Sequence, residues 1–305
     1  MEDGFDDVQD QQGDSEEIIE QKVINEEYKI WKKNSPLLYD MMFARALDWP
    51  TLTTQWFPDT KPVAGTQYTE HRMLIGTNTD GQHQNFVQIA TVEVPDLEKA
   101  CANASEYNEN LKEIGGHGAA KRPFVFNITQ KINHPSEVNK ARYNPLNPNL
   151  IAAWCVDGRV LIYDRTKHTN LPKADGTVTF EMELKGHTDE GFGLCWSPHK
   201  SREGELLTGS QDNTVRRWDT KGGFSKSNKT IKPLTTYTYH TASVNDVEYH
   251  PLHDMWFGTV SDDLTFQIVD TRTKDGGRPA RKVQAHKDAV NCLAWNPKYE
   301  ELVST

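Results

Sequence analysis

Short segments that alternate between apolar and polar residues fill most of the chain after residue 48. The stretches TLTTQWF, HRMLIGTNT and NFVQIATVEV show the two-residue alternation that is typical of half-buried β-strands. Before them, EEIIEQKVINEEYKIWKKN carries five apolar residues at three-to-four spacing between Ile19 and Trp31, which predicts a helix over residues 16–33. The pattern leaves open whether this stripe packs on the body of the protein or stays part-exposed as a groove for a partner.

One pattern occurs four times in the chain: a His, then ten residues, then a Pro with an aromatic residue two places before it. The copies begin at His134, His187, His240 and His286, which are 53, 53 and 46 residues apart. An alternating strand precedes each Pro, and a second apolar strand follows it. In the first three copies a tight turn with Asp and a third strand come next. A period of this size marks a stacked or radial repeat.

The repeat carries a recognisable signature. Gly186-His187 and Trp218-Asp219 match the Gly-His and Trp-Asp pairs of WD repeats. Counting the strand before each His gives four strands per unit, as in the blades of a β-propeller. The sequence therefore predicts an all-β WD-repeat propeller that follows an N-terminal α-helix.

We expect three regions along the chain. Residues 1–15 form a disordered acidic tail, residues 16–48 hold the helix and the segment after it, and residues 49–305 form an incomplete WD40 propeller. The predicted blades lie near 49–95, 124–165, 182–220, 235–272 and, as a half blade, 282–305. The polar segment 96–122 is expected to be an exposed insertion.

The net charge of -10 is concentrated at the N-terminus, because residues 1–27 hold eleven acidic residues and one Lys. This distribution argues against direct nucleic-acid binding and favours basic partners. The longest apolar runs are far shorter than the roughly 20 residues of a membrane span, and no signal peptide is evident, so no membrane association is expected. Four cysteines without close pairing favour a reducing compartment.

Two sets of residues resemble a nucleophile, base and orienting acid. They are Thr208 or Ser210 with His187 and Asp212, and Thr259 or Ser261 with His240 and Asp263. A catalytic constellation is normally built once, whereas a network that pins a turn is needed in every blade. We therefore expect a structural role, no enzymatic activity, no cofactor and no metal site.

The N-terminal segment EQKVINEEYKIWKKNSPLLYDMMFARALDWPTLTTQWFPD resembles the opening of the retinoblastoma-binding, MSI1-like histone-chaperone WD proteins. KINHPSEVNKARYNP, KGHTDEGFGLCWSP, FGTVSDDLTFQIVDTR and AHKDAVNCLAWNP extend the resemblance over nearly all of residues 16–305. The resemblance implies a seven-bladed, non-enzymatic scaffold in the nucleus and also the cytoplasm. It further implies histones H3 and H4 as partners, within chromatin assembly, type B acetyltransferase, deacetylase, remodelling or Polycomb complexes.

The same resemblance implies two binding surfaces. A groove for the first helix of histone H4 would use Glu27, Tyr28, Ile30, Trp31, Leu37 and Leu38, with the apolar members inside the groove. A rim at the top of the propeller would take basic peptides such as the H3 tail, and would use Glu137, Asn139, Glu190, Phe192 and Asp262. Glu137 and Glu190 each follow a repeat His by three residues, where a carboxylate can accept a charge-assisted hydrogen bond from Lys or Arg. Ordinary solvated loop acids are the alternative.

Two departures from the family pattern change these expectations. Ser243 and Asn245 stand where acids are usual, so the rim should be less negative. The sequence reaches Thr305, which aligns with Thr208 and Thr259, and we expect a truncated form that lacks about two and a half blades and the acidic loop of the H4 groove. A generic WD-repeat adaptor, for example of a ubiquitin ligase, is the alternative function. A propeller enzyme would need one unrepeated acid-base cluster.

Overall fold

The structure, a computed structural model, describes residues 7–39, 45–96, 107–108, 113–114, 125–222, 229–273 and 278–305. The chain divides into two compact units. The first unit comprises residues 1–46, 61–70 and 93–126, and the second comprises residues 47–60, 71–92 and 127–305.

The first unit contains the helix α1, Asp7–Leu38, and a short ladder of β4, Tyr107–Asn108, with β5, Glu113–Ile114. The helix begins nine residues earlier and ends five residues later than predicted. Residues 7–15 are therefore helical rather than disordered, whereas residues 1–6 lie outside the described part. Acidic residues near a helix N-terminus interact favourably with its dipole, which accounts for the extension. Within the described part of the chain, no helix is both long and apolar enough to cross a lipid bilayer.

The second unit holds successive antiparallel sheets. Their strands are β1 Thr54–Pro62, β2 Tyr68–Gly76, β3 Asn85–Pro95 and β6 Phe126–His134; β7 Ala141–Asn144, β8 Asn147–Trp154, β9 Val160–Asp164 and β10 Met182–Leu184; β11 Gly191–Trp196, β12 Glu205–Ser210, β13 Val215–Asp219 and β15 Thr235–Tyr237; β16 Val244–Tyr249, β17 Trp256–Ser261, β18 Thr265–Asp270 and β19 Arg281–Gln284; and the pair β20 Ala294–Trp295 with β21 Val303–Ser304. Two 3-10 turns, Arg165–Lys167 and Lys200–Arg202, lie between strands.

The sheets are offset by one strand from the predicted units. The strand that leads to each repeat His was grouped with the strands after it, but it pairs with the sheet before it. For example, β6 ends at His134 and forms the outer strand of the first sheet, and β15 pairs with β13. The reason is that each of these strands forms an antiparallel pair with the third strand of the preceding sheet.

The second sheet has a fifth strand that the sequence pattern does not predict. β14, Thr230–Ile231, pairs in parallel with the outer strand β10. The order of this sheet is therefore β14-β10-β9-β8-β7. The chain between β13 and β15 thus returns to the preceding sheet before it completes its own.

Apolar side chains between neighbouring sheets form the core. Trp154 and Trp218 are fully buried in one cluster with residues of both the second and the third sheet. The indole N–H of Trp154 donates to the carbonyl of Gly193 at 2.8 Å. Burial of a large aromatic side chain is a major stabilising contribution, and the indole hydrogen bond also fixes how the two sheets meet.

Candidate functional site

Helix α1 carries an exposed apolar face. Ile19 is 59% exposed and Tyr28 is 52% exposed, and Val23 and Ile24 lie between them on the same face. Ile30, one of the predicted groove residues, is 61% exposed. An apolar face of this kind is the feature that an amphipathic partner helix would cover.

An aromatic cluster gives this face its shape near the end of the helix. The rings of Tyr28 and Trp31 stack with centroids 5.7 Å apart, and Trp31 meets Tyr39 edge-on at 6.2 Å. The Lys32 ammonium lies 5.8 Å from the Tyr28 ring centroid. Aromatic contacts at these distances restrain the rings, so the cluster presents a partly preformed surface.

The other predicted groove residues lie on the same helix. Glu27 is exposed and Leu38 is 61% exposed. Leu37 belongs to the helix, but its side chain lies outside the described part. Glu27, Tyr28, Ile30 and Trp31 thus fall within slightly more than one helical turn, which combines a carboxylate with apolar and aromatic surface.

On the second unit, Glu190 lies where two neighbouring sheets meet. Its Oε2 accepts a hydrogen bond from the buried Asn139 amide at 2.7 Å, and its Oε1 accepts one from Gln211 Nε2 at 3.2 Å. The carboxylate is therefore oriented from both sides. Because an ionised carboxylate offers about four acceptor positions, it retains capacity for a Lys or Arg of a partner.

Asp262 is held in a similar way. The Asn245 amide donates to Asp262 Oδ1 at 2.7 Å and to the Val290 carbonyl at 3.0 Å. The Ser243 hydroxyl lies 3.3 Å from Asn245 Oδ1. The two residues that replace the usual acids thus form the support of the exposed Asp262.

Two predicted rim residues are less defined by their contacts. Glu137 is half-buried, directly after the turn that follows His134. Phe192 is also half-buried and follows the first residue of β11. The structure therefore joins Asn139 to Glu190, while Asp262 is joined to Asn245 and not to another predicted rim residue.

The repeated His, Thr and Asp residues form buried networks. His187 Nδ1 lies 2.8 Å from Asp212 Oδ2, and His187 Nε2 lies 2.7 Å from Thr208 Oγ1. His240, Asp263 and Thr259 repeat this arrangement at 2.9 and 2.6 Å. Burial lowers the pKa of both histidines, while their carboxylates oppose that shift. The imidazole therefore donates from Nδ1 and accepts at Nε2, which joins the Asp turn to the sheet.

The other two copies lack the complete network. His134 Nδ1 donates to the Ser136 carbonyl at 2.8 Å, and burial lowers the His134 pKa to about 4. His286 is exposed, and its Nε2 lies 2.9 Å from Thr305 Oγ1. Among the residues that the structure describes, no group of three or more His, Cys, Asp or Glu is arranged to hold a metal ion.

Sequence reasoning missed Gln211 and Tyr39. Gln211 lies in the turn beside Asp212, so the turn pattern located it, but only the fold brings its amide to Glu190. Tyr39 directly follows the helix, where its aromatic character was the available signal.

Comparison with known proteins follows the same two regions. A family model for the histone-binding protein RBBP4, which also describes the corresponding member of the CAF1 complex, matches residues 26–96. This range includes all six predicted groove residues. The WD domain, G-beta repeat model matches residues 178–219 and 277–305. The predicted WD-repeat fold is thereby confirmed.

Curated relatives carry the similarity along most of the chain. The chain is 52% identical over 293 residues to histone acetyltransferase type B subunit 2 of Aspergillus oryzae, covering 94% of this chain and 65% of that protein. It is 54% identical over 269 residues to the protein of the same name from Aspergillus fumigatus, covering 87% and 60%. For the Mycosarcoma maydis protein of that name the values are 46% over 280 residues, 89% and 63%.

The chain belongs to this family of histone-binding WD-repeat proteins. The resemblance found in the sequence is therefore confirmed. The chain spans roughly three fifths to two thirds of the length of these relatives. One solved structure, titled "Crystal Structure of Mitotic Checkpoint Complex", is 14% identical with a TM-score of 0.48 and covers 86% of this chain and 67% of its own.

Proposed function

We propose that this chain is a non-enzymatic histone-binding scaffold that presents histones H3 and H4 to chromatin-assembly or histone-acetylation machinery. The observation that carries the proposal is the coincidence of the histone-binding family model with the exposed aromatic face of α1. The relatives' printed name, histone acetyltransferase type B subunit 2, supports the same class of complex and a nuclear role.

Helix α1 would take the first helix of histone H4. Tyr28, Ile30, Trp31 and the leucines at its end would bury the apolar face of the H4 helix. Glu27 has no ion-pair partner among the described residues, so its carboxylate is free to meet a basic histone side chain.

A binding measurement with an H4 helix-1 peptide tests this step. Trp31→Ala should weaken binding at least tenfold, because an aromatic anchor in an interface contributes on the order of 2 kcal/mol. Tyr299→Ala is the matched control, since Tyr299 is an exposed aromatic residue of the second unit. Equal affinity of the two variants would remove the H4 assignment.

Charge reversal tests the role of the carboxylate. Glu27→Lys should weaken H4 binding and make the remaining binding less dependent on salt. Glu301→Lys, which reverses an exposed acid of the second unit, should bind like the parent. If both reversals weaken binding equally, a general loss of negative charge explains the effect and the specific contact is wrong.

The rim around Glu190 and Asp262 would take a second basic segment, such as the H3 tail. The support comes from amide groups that orient both carboxylates, because an acceptor held in place loses less entropy when it binds a cation. Competition between H3-tail and H4-helix peptides for the same chain would separate the two surfaces. Independent binding is expected.

A further inference from the structure

The first strand of each sheet in the second unit is an edge strand. Backbone N–H groups at alternate positions of such a strand have no partner in their own sheet and need an acceptor from elsewhere. Side chains of the preceding sheet supply most of these acceptors. The pairs are Thr53 Oγ1 with Ala141 N at 2.9 Å, Gln55 Oε1 with Tyr143 N at 3.0 Å, Cys195 Sγ with Tyr249 N at 3.5 Å, Asp246 Oδ2 with Leu293 N at 3.3 Å and Glu248 Oε2 with Trp295 N at 3.0 Å.

Strand β11 is the exception. Ser197 N donates to the Glu205 carbonyl at 2.9 Å, so the alternation of the ladder turns the N–H groups of Leu194 and Trp196 away from β12. The equivalent side chains on the preceding sheet are Lys140 and Arg142, which can only donate hydrogen bonds. Across the described residues, no side chain accepts from these two N–H groups.

The charges nearby leave one cation without an anion. Lys140 Nζ lies 3.4 Å from Asp246 Oδ1. Arg142 makes no ion pair with a described carboxylate, and its Nη1 donates to the neutral oxygens of Thr53 at 2.9 Å and Ala141 at 2.8 Å. Burial lowers the pKa of the Arg142 guanidinium, as expected for a cation without a compensating charge.

These donors border one cavity of about 250 Å³, which is space for several water molecules. Lys140, Arg142, Leu194 and Trp196 lie on its donor side, and Asp246 and Glu248 lie on its other side. Asp246 is paired with Lys140. Burial raises the pKa of Glu248 to about 7, so its carboxyl group is substantially protonated at neutral pH and repels an anion less than an ionised acid would.

We propose that this cavity is an anion site, in which a small oxyanion accepts hydrogen bonds from the Arg142 guanidinium and from the N–H groups of Leu194 and Trp196, with Lys140 as a second cation. Convergent backbone N–H groups and a guanidinium form a geometry that suits oxyanions. The anion would supply the acceptors that the preceding sheet lacks at this one strand. The site does not depend on histone binding.

Equilibrium dialysis of the 305-residue chain against labelled inorganic phosphate tests the proposal. We expect saturable binding of one phosphate per chain, and a melting temperature that rises with phosphate but not with sodium chloride at equal ionic strength. Arg142→Gln should lower the phosphate affinity at least tenfold. Arg281→Gln, which removes an exposed Arg from β19, should leave the affinity unchanged.

Absence of saturable binding to the parent chain would overturn the proposal, as would equal affinities for Arg142→Gln and Arg281→Gln. If circular dichroism shows that Arg142→Gln does not fold, Lys140→Gln replaces it. An unchanged phosphate affinity in folded Lys140→Gln then counts against the site. A histone peptide that binds equally with and without phosphate would show that the two functions are separate.

Discussion

The side-chain amide of Asn139 donates to the carboxylate of Glu190 across the boundary between two sheets, at 2.7 Å. Asn139 is buried and Glu190 is half-buried, so this contact orients an acid that still reaches the surface. The second amide, from Gln211, restrains the other oxygen. A carboxylate fixed in this way is a directional acceptor for Lys or Arg.

We predict that Glu190→Gln weakens binding of an H3-tail peptide about tenfold, which corresponds to about 1.4 kcal/mol. The physical reason is the loss of one charge-assisted hydrogen bond. Fluorescence anisotropy at fixed salt measures it. Glu203→Gln is the control, because Glu203 is an exposed acid paired with Lys221. Equal affinities for the two variants would contradict the rim assignment.

The buried His187 network predicts a large effect on stability. His187→Ala removes the partner of both Asp212 and Thr208, and should lower the free energy of unfolding by about 2–4 kcal/mol. His286→Ala changes the same repeat position where the side chain is exposed, and should cost less than about 1 kcal/mol. Urea denaturation compares the two. Similar losses would show that the network adds nothing beyond the imidazole itself.

Glu248 predicts a pH dependence. Burial raises its folded-state pKa to about 7, above the ordinary value of 4.5. The folded chain therefore binds the proton more tightly than the unfolded chain, and this contribution to stability is present below pH 4.5 and is lost as the pH rises through about 7.

Thermal denaturation between about pH 6 and pH 8 in phosphate-free buffer measures this effect. The melting temperature of the parent should fall over this range relative to that of Glu248→Gln, which cannot ionise. Parallel curves for the two proteins would show that Glu248 is already ionised at the acidic end of the range.

Gly191 predicts a steric effect at the start of β11. A Cβ at this position would lie against the Gly209 carbonyl and 2.6 Å from the Trp154 ring. Gly191→Ala should therefore destabilise the fold by about 2–3 kcal/mol, because neither backbone nor buried indole can move freely. Gly186→Ala is the control, since its Cβ would chiefly meet the flexible end of Arg216. Calorimetry should show a clearly smaller loss for this control.

The repeat, the strand types and the Asp turns could be predicted from the sequence because they depend on local alternation and on the His-to-Pro spacing. The pairing of the strand before each His could not be read in the same way, since it depends on which neighbouring strand it meets. The support of Glu190 by Gln211 likewise depends on contacts between a turn and the loop before β11. The choice of Glu190 and Asp262 came from the family resemblance, and their roles remain predictions.

Strand β14 links the second and third sheets beyond ordinary face-to-face packing. After β13 the chain crosses to the outer edge of the second sheet, pairs there with β10, and returns to place β15 on β13. Melting the third sheet would therefore release the edge of the second sheet as well. The two sheets should open as one cooperative unit, so the amides of β10 and β14 should share a common hydrogen-exchange rate even though they belong to different sequence repeats.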